Sequence, residues 1–120
     1  MQRGLVTSII AFLILILPST GMVAAKDCGE QPMDKPPVPE GAKSNRAQIT
    51  EARNRIIAFS EKIDTYLACQ DKRFEMLGPY MTKEQRERFS EDLKKLSDIR
   101  RDLQIDINRE IRAWRSAQKG

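Results

Sequence analysis

Residues 44–85 read SNRAQITEARNRIIAFSEKIDTYLACQDKRFEMLGPYMTKEQ, and this stretch decides the fold. Asn45 precedes Gln48 by three residues, the pattern of a helix-capping box, with Ser44 as an alternative cap. Apolar residues then recur every three or four positions, which predicts an amphipathic helix over residues 45–77. This first stripe consists of Ile49, Ala52, Ile56, Phe59, Ile63, Leu67, Phe74 and Leu77.

A turn and a second helix follow. The sequence Gly78-Pro79 ends the first helix, since the glycine is free to take a left-handed cap and the proline cannot continue a helix. Thr82 and Gln85 form a second capping box, and the apolar pattern resumes over residues 83–117. About five residues connect the helices, which favours antiparallel neighbours. The sequence therefore predicts an all-α fold, an antiparallel two-helix hairpin with coiled-coil-like packing. The second stripe consists of Phe89, Leu93, Leu96, Ile99, Leu103, Ile107, Ile111 and Trp114.

A proline-rich arm, residues 26–43, precedes the hairpin, which spans residues 44–118. Its prolines and glycines preclude a helix and favour an extended polyproline II conformation. They are Pro32, Pro36, Pro37, Pro39, Gly29 and Gly41. Two helices with one narrow stripe each make a marginal core. The hairpin therefore needs a third element or a partner, and a four-helix homodimer is the expected way to complete the core.

The first 25 residues have the parts of a secretory signal peptide. Arg3 supplies the basic start, residues 5–17 supply a 13-residue apolar run, and Ala25 fits the small-residue position before a cut. We predict cleavage after Ala25 and a periplasmic location. An uncleaved membrane anchor is the alternative, because the uncharged run has the length of a membrane span. Pro18 argues against an anchor, and membrane contact is expected only through this segment, if it stays uncleaved.

Cys28 and Cys69 are the only cysteines, and export to an oxidising compartment predicts a disulfide between them. Cys69 lies roughly 37 Å along the first helix, while the arm reaches about 50 Å in polyproline II. The arm is thus long enough to fold back along that helix. Tyr66 and Met76 share the flank of Cys69 and give the arm an apolar strip. A redox-active pair is the less favoured reading, and an intermolecular disulfide stays open.

The charge balance is only mildly basic. All 17 acidic side chains and 20 of the 21 Lys and Arg residues lie beyond residue 25. Their signs alternate closely, which indicates a solvated, salt-bridged surface, and no nucleic-acid binding is predicted. Four basic residues near the C-terminus leave contact with anionic lipid open as a minor alternative, because acidic residues are mixed among them. They are Arg109, Arg112, Arg115 and Lys119, beside Asp106 and Glu110.

No catalytic constellation is found in the sequence. The chain has no histidine, which removes the commonest general base and zinc ligand. Carboxylate pairs four residues apart lie among basic residues on the solvated faces, and no glycine-rich phosphate loop occurs. We predict no enzymatic activity, no cofactor and no metal. The candidate interaction residues are Tyr66, Tyr80, Met81 and Trp114, of which Tyr80 and Met81 lie at the hairpin turn.

Two resemblances add to this interpretation. Cys28, the sequence PPVPEG at residues 36–41 and the sequence YLAC at residues 66–69 resemble a family of small proteobacterial envelope proteins of unassigned function. That likeness supports the disulfide-stapled hairpin and adds no information about activity. The sequence MTKEQR at residues 81–86 is similar to the Leu-Thr-x-x-Gln motif of the Spy and CpxP periplasmic chaperones. Those chaperones carry two copies on a four-helix cradle, whereas this chain has one copy.

We therefore expect a non-enzymatic, exported envelope protein that acts as a structural or protein-interaction module. Its partner is another protein or a second copy of itself. The alternative is a periplasmic holdase chaperone that binds unfolded clients.

Overall fold

The computed structural model describes residues 27–120, which contain two long helices and no strand. Helix α1 spans Arg46–Leu77 and helix α2 spans Lys83–Lys119, two residues beyond the predicted end. Short 3-10 turns occupy Gly41–Lys43 and Gly78–Tyr80. The all-α hairpin with its extended arm is confirmed. The predicted signal peptide and its cleavage site lie outside the described residues.

Both helices begin with the predicted capping boxes. The Asn45 side chain accepts a hydrogen bond from the Gln48 backbone N–H, and the Gln48 side chain accepts one from the Asn45 N–H, both at 2.9 Å. Thr82 and Gln85 make the same reciprocal pair at 3.2 and 2.9 Å. Asn45 is thus the cap, while the Ser44 hydroxyl donates to the Glu40 carbonyl instead. Each box satisfies two backbone N–H groups, counting that of the cap itself.

The prediction of a left-handed glycine at the hairpin turn is wrong. Gly78 has φ −50° and ψ −42°, in the right-handed region, and a 3-10 turn continues through Tyr80. A residue before proline normally avoids this region because its β-carbon clashes with the ring, and glycine has no β-carbon. Arg86 replaces the missing left-handed cap: its Nη1 donates to the Met81 carbonyl at 2.6 Å and to the Gly78 carbonyl at 3.3 Å.

The two helices pack along their predicted stripes. Arg100 of α2 donates to Asp64 of α1 at 2.8 Å, and the rings of Phe74 and Phe89 lie 5.3 Å apart. These contacts fix the antiparallel register. Within residues 27–120, the buried apolar side chains come from both stripes: Ile49, Ile56, Phe59, Ile63, Leu96, Leu103 and Ile107. Within residues 27–120, no helix has an apolar stretch long enough to cross a membrane.

The arm supplies the third element that the core needs. It starts at the disulfide on Cys69 and runs antiparallel to α1, so that its middle lies beside Ala58 and Phe59. Val38 packs against the core. At its end, the Gly41 N–H donates to the Glu110 Oε2 at 2.8 Å. The arm therefore covers one side of the hairpin, and the homodimer stays a prediction.

Gly41 is required where the arm meets α2. The residue is buried, and a β-carbon there would overlap the main-chain carbonyl of Glu110. We expect Gly41→Ala to lower the free energy of unfolding by about 1–3 kcal/mol, because the arm must move off α2 to admit the methyl group. Urea unfolding followed by circular dichroism measures the change. The same substitution at Gly120, where only ordinary contacts are found, is the control. Equal stability of the two variants would contradict the close approach.

Candidate functional site

The disulfide between Cys28 and Cys69 is present, with the two Cα atoms 5.6 Å apart. Both cysteines are partly buried, and no free cysteine occurs among residues 27–120. The bond attaches the start of the arm to the C-terminal half of α1, which spans Arg46–Leu77. A loop of this length closed by a covalent bond stabilises the fold mainly by restricting the unfolded chain. The predicted intramolecular disulfide is confirmed.

The disulfide also marks a boundary along the hairpin. In the described part of the chain, the seven buried apolar side chains lie at residues 49–63 of α1 and 96–107 of α2, on the side that the arm covers. Beyond Cys69, toward the hairpin turn, the stripe residues are only partly buried or exposed. The cause is the direction of the arm, which leaves Cys69 toward the beginning of α1. The turn end of the hairpin therefore keeps an uncovered apolar surface.

We call this surface the apolar tip. Met76 is 54% exposed, Leu77 36% and Tyr80 89%. A shallow groove lies between the two helices here, with an apolar floor flanked by Arg73 and Arg88. The residues that define the apolar tip are Phe74, Met76, Leu77, Tyr80, Met81 and Phe89.

The four predicted interaction residues fall in three places. Tyr80 and Met81 lie together in the apolar tip. Tyr66 packs against the core and lines the space beside the start of the arm. Trp114 lies at the opposite, open end of the hairpin, partly buried, and its indole N–H meets no acceptor within residues 27–120. The structure thus brings only two of the four together.

The expectation for Met76 is wrong. It was predicted to lie under the arm with Tyr66, but it is 54% exposed at the apolar tip. Met76 lies on the same flank of α1 as Cys69, but this does not place it under the arm, because the described arm covers only the part of α1 that precedes the disulfide. Conversely, Phe74, Leu77 and Phe89 were predicted to lie in the packed stripe. Phe74 and Phe89 do pack on each other and are partly buried, but Leu77 is 36% exposed, and all three line the uncovered groove at the tip. Their position beyond Cys69 was the signal available in the sequence.

The two ends of the hairpin differ in charge. Residues 71–92, around the apolar tip, carry five basic and six acidic side chains. Residues 46–53 and 111–120, at the open end, carry five basic side chains and one acidic side chain, Glu51. Glu51 pairs with Arg55. The tip is therefore nearly neutral, and the open end is strongly basic.

Glu110 holds the end of the arm electrostatically. The backbone N–H of Gly41, and then the side chain of Arg109, hold the pKa of the Glu110 carboxyl below its ordinary value. A lowered carboxyl pKa in the folded state contributes stability at pH values above the ordinary pKa, and this contribution is lost as the pH falls through the folded value. The attachment of the arm to α2 is therefore retained at neutral pH and weakened in acid.

Known proteins do not extend this description. Comparisons of the chain with protein-family models, curated proteins and solved structures found no match. Within residues 27–120, no three His, Cys, Asp or Glu side chains come together to hold a metal ion. The two resemblances noted in the sequence stay predictions. The apolar tip is the surface from which a function can be argued.

Proposed function

We propose that this protein is a non-enzymatic, exported interaction module that presents its apolar tip to a partner protein. One observation carries the proposal: the arm covers the core on one side of the disulfide and leaves the tip uncovered. Met76, Leu77 and Tyr80 are exposed together there. Large exposed apolar side chains that adjoin one another mark interaction surfaces more often than scattered ones do.

The charge around the tip favours a protein as its partner. A surface that binds an anionic bilayer usually has an excess of basic over acidic side chains. Residues 71–92 have no such excess. Met76 and Met81 have flexible, polarisable side chains, which adapt well to an apolar segment of another protein. Arg73 and Arg88 flank the groove and are placed to hold the polar rim of such a contact. The occupant we propose is an apolar protein segment laid across the tip.

The disulfide supports the proposed location. Disulfides persist in oxidising compartments and are rare where thiols are kept reduced. Together with the predicted signal peptide, the Cys28–Cys69 bond favours the periplasm. We therefore place the interaction in the cell envelope.

A photo-crosslinking amino acid tests the tip directly. We expect p-benzoyl-phenylalanine in place of Tyr80 to form one discrete adduct in intact cells, and the same residue in place of Ile105 to form none. Both positions are exposed, but Ile105 lies on α2 away from the tip. An adduct at twice the mass of the chain identifies a second copy as the occupant. Equal adducts from both positions would contradict the proposal.

The crosslinked species must then bind in purified form. The double variant Met76→Ser, Leu77→Ser should weaken its binding roughly tenfold or more, because two apolar side chains no longer leave water on binding. The variant Ile105→Ser is the matched control and should bind like the parent chain. Isothermal titration calorimetry measures both. Unchanged affinity of the double variant would remove the tip as the contact.

A holdase is the second candidate function, and the open shape of the tip is the observation that favours it. A shallow groove rich in methionine suits many unfolded clients as well as one partner. An excess of the protein should then suppress light scattering by a chemically denatured enzyme, and the Met76→Ser, Leu77→Ser variant should not. Many weak photo-crosslinked adducts from position 80, in place of one discrete adduct, would support the holdase. Failure to suppress aggregation would exclude it.

A further inference from the structure

The open end of the hairpin carries a second surface, which differs from the apolar tip in its chemistry. The first two turns of α1 and the last turns of α2 enclose a shallow pocket there. Its floor is formed by Ile49, Ile111 and Trp114, and its rim carries three arginines. These are Arg46, Arg53 and Arg115, and we call the surface the basic pocket.

The three arginines are free of acidic partners. In the part of the chain that the structure describes, none of them forms an ion pair or a side-chain hydrogen bond, and all three are exposed. Other arginines are used within the fold: Arg55 pairs with Glu51, and Arg100 with Asp64. Guanidinium groups are planar forks that bind phosphate or carboxylate through paired hydrogen bonds. The basic pocket thus holds unused capacity for anions.

The acidic residues nearby do not neutralise this end. Asp106 and Glu110 both pair with Arg109, at 3.0 and 3.3 Å. Arg112 and Lys119 lie outside the pocket on the same end and form no ion pair among residues 27–120. Acidic and basic residues alternate in the sequence here, but in the structure both carboxylates pair with Arg109. Within the described chain, the other basic side chains at this end are left unpaired and face solvent.

The position of the pocket on α1 adds to its positive potential. Arg46 is the first residue of α1, and the first turn of that helix contains no acidic side chain. Backbone N–H groups at a helix start carry partial positive charge, which an acidic residue normally offsets. Here the helix end and the arginines have the same sign. A bound anion would relieve both.

We infer that the basic pocket and the cations around it bind the phosphate groups of an anionic lipid surface. The apolar floor next to the arginines favours a lipid over a free anion. A lipid can contact this apolar surface while its phosphate binds the arginines, and a free anion cannot. The ring of Trp114 adds apolar surface at this boundary, although its indole N–H is buried. Arg112 and Lys119 extend the charge over an area larger than one ion needs, as on a bilayer with many phosphates.

Co-sedimentation with lipid vesicles tests this inference, using the protein purified in the form that expressing cells produce. Vesicles of phosphatidylcholine containing about one third phosphatidylglycerol should bind it, and vesicles of phosphatidylcholine alone should bind it far less. Binding through the apolar residues 5–17, where they are retained, would be equal for both compositions. The variant Arg46→Gln, Arg53→Gln, Arg115→Gln should lower binding to the anionic vesicles about 100-fold, at roughly fivefold per arginine.

A control variant with the same net charge shows whether the position of the lost charges matters for vesicle binding. The variant Lys72→Gln, Lys83→Gln, Arg88→Gln loses the same three charges near the apolar tip and should keep most of the binding. Circular dichroism checks that both variants fold, which the exposure of all six residues favours. Binding of the unmodified protein should also fall steeply with salt, as the screening length shortens from about 10 Å at 0.1 M to about 3 Å at 1 M.

Three outcomes would overturn the inference. Equal losses in the two triple variants would mean that net charge alone attracts the protein to vesicles. Equal binding to neutral and anionic vesicles, together with unchanged binding of the Arg46→Gln, Arg53→Gln, Arg115→Gln variant, would exclude a contact of the basic pocket with anionic lipid. Binding of inorganic phosphate to the basic pocket, without binding to anionic vesicles, would assign the pocket to a free anion. None of these results depends on whether the apolar tip binds a partner.

Discussion

Replacing both Cys28 and Cys69 with serine is expected to lower the free energy of unfolding by about 4 kcal/mol. The chain-entropy relation gives this figure for a loop of this size, since the cysteines are 41 residues apart. In a domain of this length, each kcal/mol corresponds to roughly 4–8 °C in the melting temperature. Thermal unfolding followed by circular dichroism measures the shift. The effect is large because the bond also holds the arm against the core that it covers.

Reduction provides the control for this prediction. The parent protein in excess dithiol should unfold at the temperature of the double serine variant, and the variant should not respond to dithiol. This comparison separates loss of the bond from the change of side chain. A parent protein that is as stable when reduced as when oxidised would show that the arm stays in place through its own contacts, such as those of Val38 and Gly41.

The second large effect is expected for Leu103→Ala, at about 3 kcal/mol. Leu103 has no exposed surface and packs in the cluster that contains Ile56 and Ile63 of the facing helix. Removing a buried leucine side chain loses its transfer free energy and leaves a cavity that the neighbours fill only in part. Urea unfolding measures the loss. The arm makes the loss large, because it closes the side of the hairpin from which water would otherwise enter.

Ile105 gives a matched comparison for Leu103. It lies two residues further along α2 and is 54% exposed. Ile105→Ala should change the free energy of unfolding by no more than about 0.5 kcal/mol, as is typical of surface positions. Similar losses at both positions would mean that α2 buries a different face, through a partner that covers Ile105.

The repeating apolar residues were sufficient to predict the hairpin. Spacings of three and four identify the buried face of each helix, and the two capping boxes fix where each helix begins, because both depend on local contacts. The disulfide was predictable too, since two cysteines allow one intramolecular pairing and the arm is long enough to reach. These features share a cause: each depends on residues near in sequence or on chain length.

The candidate site was predictable only in part. Tyr80 and Met81 were recognised because they lie at the turn. Phe74 and Phe89 were not, because they continue the same periodic pattern as the buried residues and differ only in lacking a cover. Periodicity shows which face of a helix is apolar, but not how far a third element extends along it. The conformation of Gly78 was predicted wrongly for a different reason, since side-chain hydrogen bonds from Arg86 to the carbonyls of Gly78 and Met81 replace the left-handed cap, and the apolar pattern does not reveal them.

The disulfide at Cys69 divides the hairpin into a covered part with the buried core and an uncovered part that ends at the turn. Among residues 27–120, every fully buried apolar side chain lies on one side of this bond, so the hairpin beyond it can change in length without moving these side chains. Seven residues added to each helix there would keep the apolar spacing and carry the turn outward by about 10 Å. Insertions beyond the disulfide can therefore change the distance between the two ends of the hairpin while leaving the buried side chains in place.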